Sequence, residues 1–173
     1  MHCLIVAPPG IGKSTLIRRV LQEVDRPAFG YLTRKEKDMW DEELGHPIYI
    51  YAVGEISERS QENLVGHCKD RRPVVYGEAF DRFAPRLAEP IPTGGVVVMD
   101  EIGFMESASP AFCGEILRLL DGDIPVIAAV KDKETKFLDR IRTHPKARCF
   151  YLTPENREEI YRAVLNELQK GYE

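Results

Sequence analysis

The fold is decided close to the amino terminus, where residues 7–14 read Ala-Pro-Pro-Gly-Ile-Gly-Lys-Ser. This order matches the phosphate-binding loop (P-loop), in which Ala or Gly, four free positions, Gly-Lys and Ser or Thr follow one another. Gly10 and Gly12 lack a Cβ atom, so the backbone can turn successive N–H groups toward phosphate oxygens. The stretch therefore predicts a cradle for nucleotide phosphates.

The polar side chains of this loop have distinct predicted roles. Lys13 is expected to reach the β- and γ-phosphates and to act in catalysis, and Ser14 to offer its hydroxyl to Mg²⁺. We expect Lys13 to face solvent, so that replacing it would leave the fold intact. The loop positions assigned to the bound nucleotide are Pro9, Gly10, Ile11, Gly12, Lys13, Ser14 and Thr15.

The flanks of the loop have the structural context that the motif requires, a buried strand before it and a helix after it. Residues 3–6 are Cys-Leu-Ile-Val, a run typical of a strand covered on both faces. Residues 14–24 place apolar side chains at helical spacing. These are Leu16, Ile17, Val20, Leu21 and Val24.

Length and charge limit the kinds of protein that this chain can be. The 173 residues suit one domain, and we expect residues 1–173 to form a single nucleotide-binding domain. Lys and Arg number 24 against 28 Asp and Glu, which gives a formal net charge of −4. Because the chain has no overall basic field, neither nucleic acid nor an anionic membrane is indicated as a partner.

The cysteines and histidines form no metal-binding pattern. The 4 cysteines are far apart without a Cys-x-x-Cys pair, and the 4 histidines add no zinc-ligand spacing. No charged and apolar leader precedes the first strand, and no apolar run approaches the roughly 18 residues that cross a bilayer. We therefore expect a cytoplasmic protein with reduced thiols. The sequence names no protein partner.

A hairpin is predicted after the first helix. Residues 28–33 indicate a second strand, and the alternating segment 46–52 is expected to pair with it as an insertion at the sheet edge. The charged segment 34–43 between them contains Trp40, which either packs under the loop or contacts substrate.

Three weaker signals follow the hairpin. Glu-Arg-Ser at 58–60 resembles a triplet of deoxynucleoside kinases, but we interpret it as an ordinary solvated segment. Residues 61–72 predict no element. Residues 78–87 predict a short helix interrupted near Pro85.

The second decisive stretch is residues 95–101, Gly-Val-Val-Val-Met-Asp-Glu. It predicts a buried parallel strand that ends in two carboxylates, and ligands of α/β proteins bind at such strand ends. This is a Walker B element. Asp100 is expected to hold Mg²⁺, and Glu101 to orient or deprotonate the water that attacks the γ-phosphate.

The rest of the chain alternates between helix and strand. The predicted elements are a helix over 109–120, a strand over 124–130, a helix over 134–142, a strand over 148–152, and a last helix with residues 153–156 as its cap and first turn. Repeated β-α alternation with right-handed crossovers predicts a three-layer α/β fold, with a mainly parallel central sheet and helices on both faces.

Three stretches together resemble a known family. They are residues 7–14, Asp-Glu-Ile-Gly-Phe-Met-Glu at 100–106, and Leu-Thr-Pro-Glu-Asn-Arg at 152–157. In order and spacing they are similar to the small P-loop nucleoside-triphosphatases that include the cancer-related nucleoside-triphosphatase. The resemblance implies a kinase-like P-loop sheet with the Walker B strand beside the P-loop strand. It also implies Mg²⁺-dependent hydrolysis of nucleoside triphosphates with loose base selectivity.

The resemblance also implies further nucleotide contacts. It places Asn156 and Arg157 near the base or ribose, although both fit equally well as the exposed first turn of a helix. Arg140 and Arg142 occupy a stretch where related folds keep phosphate-touching arginines, but solvated helix residues need no such role. Val-Lys-Asp at 130–132 does not supply the guanine-reading motif of GTPases, so exclusive use of GTP is disfavoured.

Three functions remain open. The first is hydrolysis of ATP and other triphosphates, the second a nucleoside or nucleotide kinase, and the third a nucleotide-gated interaction module. Lys35 stands where the family tends to have an acidic residue, which leaves the native substrate open. Phosphate release without an acceptor would favour the hydrolase over the kinase.

Overall fold

The computed structural model describes residues 1–170, which form one sheet of eight strands, five α-helices and a 3-10 turn. The strands are β1 His2–Ala7, β2 Ala28–Lys35, β3 His46–Ala52, β4 Leu64–Lys69, β5 Arg72–Val75, β6 Val96–Ile102, β7 Val126–Lys131 and β8 Ala147–Tyr151. The helices are α1 Lys13–Val24, α2 Gly77–Leu87, α3 Pro110–Asp121, α4 Lys136–Arg142 and α5 Arg157–Gln169, and the 3-10 turn is Met105–Ala108. The predicted α/β fold class is confirmed.

The strand order is β5-β4-β3-β2-β6-β7-β1-β8. Five neighbouring strands of the sheet, β2, β6, β7, β1 and β8, pair in parallel. The other three, β3, β4 and β5, pair antiparallel to their neighbours. The expectation that the Walker B strand lies beside the P-loop strand is wrong, because β7 lies between β6 and β1. The chain leaves β6, crosses through α3 and returns to the sheet as β7, between β6 and β1. The Walker motifs do not encode the position at which this crossover returns.

Helices cover both faces of the sheet, which gives the three predicted layers. On one face α2, α3 and α4 pack through a cluster that includes Phe80, Phe112 and Leu138. On the other face α1 and α5 pack through residues such as Ile17 and Val164. Each such side chain contributes about 1.5–3 kcal/mol by leaving water. Because β1, β6 and β7 are covered on both sides, their sequences are continuous apolar runs.

The antiparallel insertion is longer than the predicted hairpin. β2 pairs with β3 as expected, and β4 and β5 extend the edge beyond it. Residues 61–72, for which the sequence predicts no element, contain all of β4. At Gly66 the backbones approach so closely that a Cβ atom would lie 2.4 Å from the carbonyl oxygen of Val74. Pairing and the burial of Val65 against the helix layer outweigh the weak local preference of this segment.

Two helix boundaries differ from the predictions. α2 continues to Leu87 with Pro85 inside it, because proline in the last turn removes only one intrahelical hydrogen bond. α5 begins at Arg157 with Asn156 as its N-cap residue, so the predicted cap is confirmed, but residues 153–156 precede the helix and do not form its first turn. Among the helices of residues 1–170, none combines the length and apolar character that crossing a membrane needs.

Candidate active site at the P-loop

The P-loop connects β1 to α1 at the carboxyl end of the parallel strands. Gly10 and Gly12 have φ angles of 79° and 109°, left-handed values that glycine adopts without strain. α1 begins directly after Gly12, and its first turn has neither a side-chain cap nor an acidic residue. The first N–H groups of α1 and the positive end of its dipole are therefore available to an anion.

Lys13 is buried, so the expectation that it faces solvent is wrong. Its side chain is 7% exposed, and Nζ lies 3.4 Å from Oε2 of Glu101. Nζ also donates hydrogen bonds to the carbonyl oxygens of Ala7, at 2.6 Å, and Pro8, at 3.3 Å. The lysine thus satisfies the buried carbonyl oxygen of Ala7, which would otherwise lack a donor.

Asp100 lies directly beside the first turn of α1. The Ser14 hydroxyl donates a hydrogen bond of 2.9 Å to its Oδ1 atom. Burial raises the pKa of Asp100, and the hydrogen bond from Ser14 opposes this rise. The two residues that the sequence assigns to Mg²⁺ are thus in contact.

The oxygen atoms of Ser14 and Asp100 suit Mg²⁺. Magnesium keeps several waters and is held by one or two carboxylates together with substrate phosphates, not by an all-protein cage. Within residues 1–170, no group of three or more His, Cys, Asp and Glu side chains could hold a metal ion. One hydroxyl and one carboxylate beside a phosphate cradle are therefore the donor set that a nucleotide-bound Mg²⁺ would use.

The carboxylate of Glu101 lies between two lysines. Its Oε2 atom is 3.4 Å from Nζ of Lys13, and its Oε1 atom is 3.5 Å from Nζ of Lys131. The Tyr31 hydroxyl donates to the Glu101 carbonyl oxygen at 3.3 Å. Lys131 was not predicted as a site residue; the available signal was its position directly after the predicted buried strand 124–130.

A third carboxylate of the same segment, Glu106, is buried behind the site. It is 2% exposed, and its Oε2 accepts a hydrogen bond of 2.9 Å from the N–H of Gly103. Burial raises its pKa to about 7. The Asp-Glu-Ile-Gly-Phe-Met-Glu stretch therefore supplies two carboxylates to the cavity and one to the interior.

The P-loop and the Walker B strand enclose a cavity of ≈ 420 Å³. It is lined by Pro9, Gly10, Gly12, Lys13, Ser14, Thr15, Thr33, Asp100 and Glu101. The sequence assigned eight residues to phosphate or metal binding, namely residues 9–15 and Asp100. All of them except Ile11 line this cavity. Thr33 was not assigned from the sequence, and it enters from the end of β2.

A second cavity, of ≈ 310 Å³, lies on the outer side of the P-loop. It is lined by Gly10, Ile11, Gly12, Thr15, Leu16, Arg19, Arg157 and Tyr161. The Arg19 guanidinium carbon lies 3.6 Å from the centre of the Tyr161 ring, and Arg19 also pairs with Glu158 at 2.7 Å. This cavity contains Ile11 and Arg157, two of the predicted nucleotide contacts.

Asn156 uses its side chain within its own loop. Its Oδ1 accepts a hydrogen bond of 2.8 Å from the N–H of Thr153, and its Nδ2 donates to the Tyr151 carbonyl oxygen at 2.9 Å. Asn156 therefore shapes the loop that leads into α5. A direct contact between Asn156 and the nucleotide stays a prediction.

The two arginines of α4 lie outside both cavities. Arg142 donates to the carbonyl oxygen of Lys131 at 3.2 Å and pairs with Asp139 at 2.5 Å. Arg140 is exposed on the same helix. Their proposed phosphate contact stays a prediction, and the bonds of Arg142 show a structural role at the end of β7.

The structure also shows the surroundings of Trp40 and of the 58–60 triplet, two features of the insertion that the sequence left open to interpretation. Trp40 is 53% exposed, with its ring edge-on to His46 at a centroid distance of 4.9 Å, so it is not packed under its loop. In the exposed 58–60 triplet, Arg59 pairs with the buried Glu36 at 2.8 Å and with Asp38 at 3.1 Å. The triplet thus anchors its segment to the hairpin, away from the P-loop cavity.

The fold and the site define a P-loop nucleotide-binding protein. A protein-family model described as NTPase matches residues 2–165. The chain therefore belongs to the NTPase family.

Curated relatives and solved structures agree with this assignment. Nucleoside-triphosphatase THEP1 of Pyrococcus abyssi is 31% identical, over 98% of this chain and 93% of the relative. The cancer-related nucleoside-triphosphatase homolog of Bos taurus is 29% identical, over 98% and 97%. The crystal structure of THEP1 from the hyperthermophile Aquifex aeolicus superposes with a TM-score of 0.76 at 23% identity, over 98% of this chain and 100% of that one, which shows a common fold.

Proposed function

We propose that this member of the NTPase family hydrolyses nucleoside triphosphates, ATP among them, to the diphosphate and phosphate in a Mg²⁺-dependent reaction. The names of the curated relatives support a triphosphate substrate and favour a hydrolase over a kinase. The observation that carries the proposal is the position of Glu101, whose carboxylate lies 3.4 Å from the P-loop lysine in the phosphate cavity.

The P-loop binds and orients the triphosphate. Backbone N–H groups at Gly10 and Gly12 and the first turn of α1 donate to its phosphate oxygens. Lys13 moves from the loop carbonyl oxygens to the β- and γ-phosphates, where its charge has stronger anionic partners. Ser14 and Asp100 would hold Mg²⁺, which would supply positive charge to the phosphate oxygens.

Glu101 acts on the attacking water. Its carboxylate accepts a hydrogen bond from the water and takes its proton as the water oxygen bonds to the γ-phosphorus. The bond from that phosphorus to the β–γ bridging oxygen breaks, and the negative charge leaves with the diphosphate. Lys13 stabilises the charge that develops on this oxygen.

The outer cavity is the site proposed for the nucleoside. Ile11 and Tyr161 offer apolar and aromatic surface to a base, and Arg157 offers a planar cation that stacks on any base. Such contacts read the π-face and not the hydrogen-bonding edge, so they support loose base selectivity. Asn156 contributes by fixing the loop before α5.

Two further proposals concern the whole chain. We propose that residues 1–173 work as one domain, which the single sheet of residues 1–170 supports. We also propose a cytoplasmic location. The free thiols of all four cysteines fit a reducing compartment.

Product analysis tests the proposed reaction. Purified protein is incubated with ATP, GTP, CTP or UTP, in Mg²⁺ or in excess EDTA, and nucleotides and phosphate are separated. We expect diphosphate and phosphate from all four substrates in Mg²⁺ and no turnover in EDTA. Monophosphate and pyrophosphate as products, or undiminished turnover in EDTA, would contradict the proposal. Protein with Lys13→Met, purified in parallel, controls for a contaminating phosphatase.

A further inference from the structure

We propose that Lys131 is a positioning residue for hydrolysis, which holds the Glu101 carboxylate in place after the bound triphosphate has drawn Lys13 away. This inference rests on the proposed function of Glu101. Lys131 lies outside all three motifs that carry the family resemblance.

The carboxylate of Glu101 has one ammonium group at each oxygen. Lys13 is 3.4 Å from Oε2, and Lys131 is 3.5 Å from Oε1. In the sheet, β7, which ends at Lys131, pairs directly with β6, which carries Glu101, and β1, which leads into the P-loop and Lys13, is the next strand beyond β7. A carboxylate held at both oxygens has a defined orientation, and it loses that orientation when both partners leave.

Lys13 is the partner that leaves. Its other contacts are neutral carbonyl oxygens of Ala7 and Pro8, whereas the β- and γ-phosphates of a bound triphosphate carry full negative charge. Lys131 does not line the phosphate cavity. Because the phosphates would bind in that cavity, we expect Lys131 to stay beside Glu101 when the nucleotide is bound.

The segment after β6 packs around the side chain of Lys131. A Cβ atom at Gly103 would lie only 3.2 Å from Cδ of Lys131, so glycine leaves room for the stem of the lysine. The ammonium group lies 5.2 Å from the centre of the Phe104 ring, and the side chain is only 22% exposed. Packing of this kind restricts where the ammonium group can lie.

The local charges also require a cation at this position. Asp100 and Glu101 are consecutive carboxylates near the end of β6, and both line the phosphate cavity. Once a bound triphosphate has drawn Lys13 away, repulsion from Asp100 would push Glu101 toward solvent if no other cation balanced its charge. Lys131 supplies that balance at 3.5 Å.

Lys133 is a matched control on the same segment. Its ammonium group lies 5.2 Å from the same Phe104 ring, as that of Lys131 does. Its side chain is exposed, and within residues 1–170 it has no ion pair with Glu101. The variants Lys131→Met and Lys133→Met therefore remove the same charge near the same ring, but only the first removes the contact with Glu101.

The test combines steady-state kinetics with a double-mutant cycle. Phosphate release from Mg²⁺–ATP is measured for wild type, Lys131→Met, Lys131→Arg, Lys133→Met, Glu101→Gln and Lys131→Met/Glu101→Gln. We expect Lys131→Met to lower kcat by about 10-fold or more, with KM and nucleotide affinity within about 2-fold of wild type. Lys131→Arg should recover much of the loss, and Lys133→Met should match wild type. In the Glu101→Gln background, Lys131→Met should cause no further loss.

Three results would overturn this inference. They are wild-type kcat in Lys131→Met, an equal loss in Lys133→Met, and a full additional loss in the Glu101→Gln background, which would mean that Lys131 acts on the phosphate itself. Nucleotide affinity reports whether each variant is folded, and Lys131→Gln replaces the Met variant if that variant is not. Wild-type turnover in the single variant Glu101→Gln would contradict the proposed role of Glu101. This result is distinguishable from the first two results above, which concern the role of Lys131.

Discussion

The hydroxyl of Ser14 donates a hydrogen bond of 2.9 Å to Oδ1 of Asp100, although 86 positions separate the two residues in the sequence. The contact joins the first turn of α1 to the end of β6. Because a hydroxyl and a carboxylate meet at the phosphate cradle, Mg²⁺ would share its ligands between these two elements.

Asp100→Asn should therefore raise the Mg²⁺ requirement. The amide keeps the shape of the side chain and can still accept from Ser14, but it has no charge for the cation. We expect the Mg²⁺ concentration for half-maximal phosphate release to rise by about 10-fold or more. An unchanged Mg²⁺ titration would remove Asp100 from the metal site.

Lys13→Met should strongly weaken triphosphate binding. Methionine retains an apolar stem in the buried position but has no ammonium group for the phosphates, and we expect affinity to fall roughly 100-fold. Isothermal titration with a non-hydrolysable triphosphate measures this loss, and circular dichroism confirms the fold. Wild-type affinity in a folded variant would contradict the cradle assignment.

Tyr161→Leu tests the nucleoside cavity. Loss of one aromatic stacking surface costs about 1 kcal/mol or more, so KM should rise roughly fivefold or more. The rise should be similar for ATP, GTP, CTP and UTP, since a π-face does not distinguish them. Arg162→Ala, on the same helix but outside the cavity, is the matched control. A rise confined to one nucleotide would contradict loose selectivity.

Glu106→Gln should change the pH dependence of stability. The pKa of Glu106 is raised from its ordinary value of 4.5 to about 7, so the folded state binds the proton more tightly than the unfolded state. Wild-type stability should consequently fall as pH rises from about 4.5 to 7, by at most on the order of 3 kcal/mol. Glutamine still accepts from Gly103 and does not ionise, so the variant should lack this decline.

Urea denaturation at pH 5 and pH 8 measures the effect of Glu106. The difference in unfolding free energy between Glu106→Gln and wild type should favour the variant more at pH 8 than at pH 5. Glu155→Gln, at an exposed position, should show no such change. A difference that is the same at both pH values would mean that Glu106 does not titrate in this window.

The sequence predicts those parts of the fold that a short stretch of residues determines by itself. The P-loop needs glycine at positions 10 and 12 for its backbone angles, and β1, β6 and β7 need apolar residues on both faces, so both are visible in the sequence. The site residues that belong to these motifs, such as Ser14 and Asp100, could therefore be assigned.

The remaining features depend on contacts between distant segments. β4 forms because it pairs with β3 and packs Val65 against α2, and its own sequence has little strand character. Lys131 reaches Glu101 because β7 pairs directly with β6, an adjacency that motif spacing does not reveal. Lys13 is buried because its own loop folds over it.

In the proposed reaction water is the nucleophile, and Glu101 activates it. Within residues 1–170, no arginine lines the phosphate cavity, and P-loop proteins without such an arginine hydrolyse at roughly 10⁻⁴ to 10⁻³ per second. Assays must therefore run long, with the Lys13→Met protein as the background.

The most direct measurement uses γ-labelled ATP and Mg²⁺, with wild type and Glu101→Gln, in the presence and absence of a panel of nucleosides and nucleoside monophosphates. We expect the label to leave as free phosphate at a rate that the panel does not raise. Glu101→Gln should lower that rate by about 10²-fold or more while nucleotide binding persists. Transfer of the label to one acceptor, far faster than acceptor-free release, would contradict the claim and make Glu101 the base for an acceptor hydroxyl.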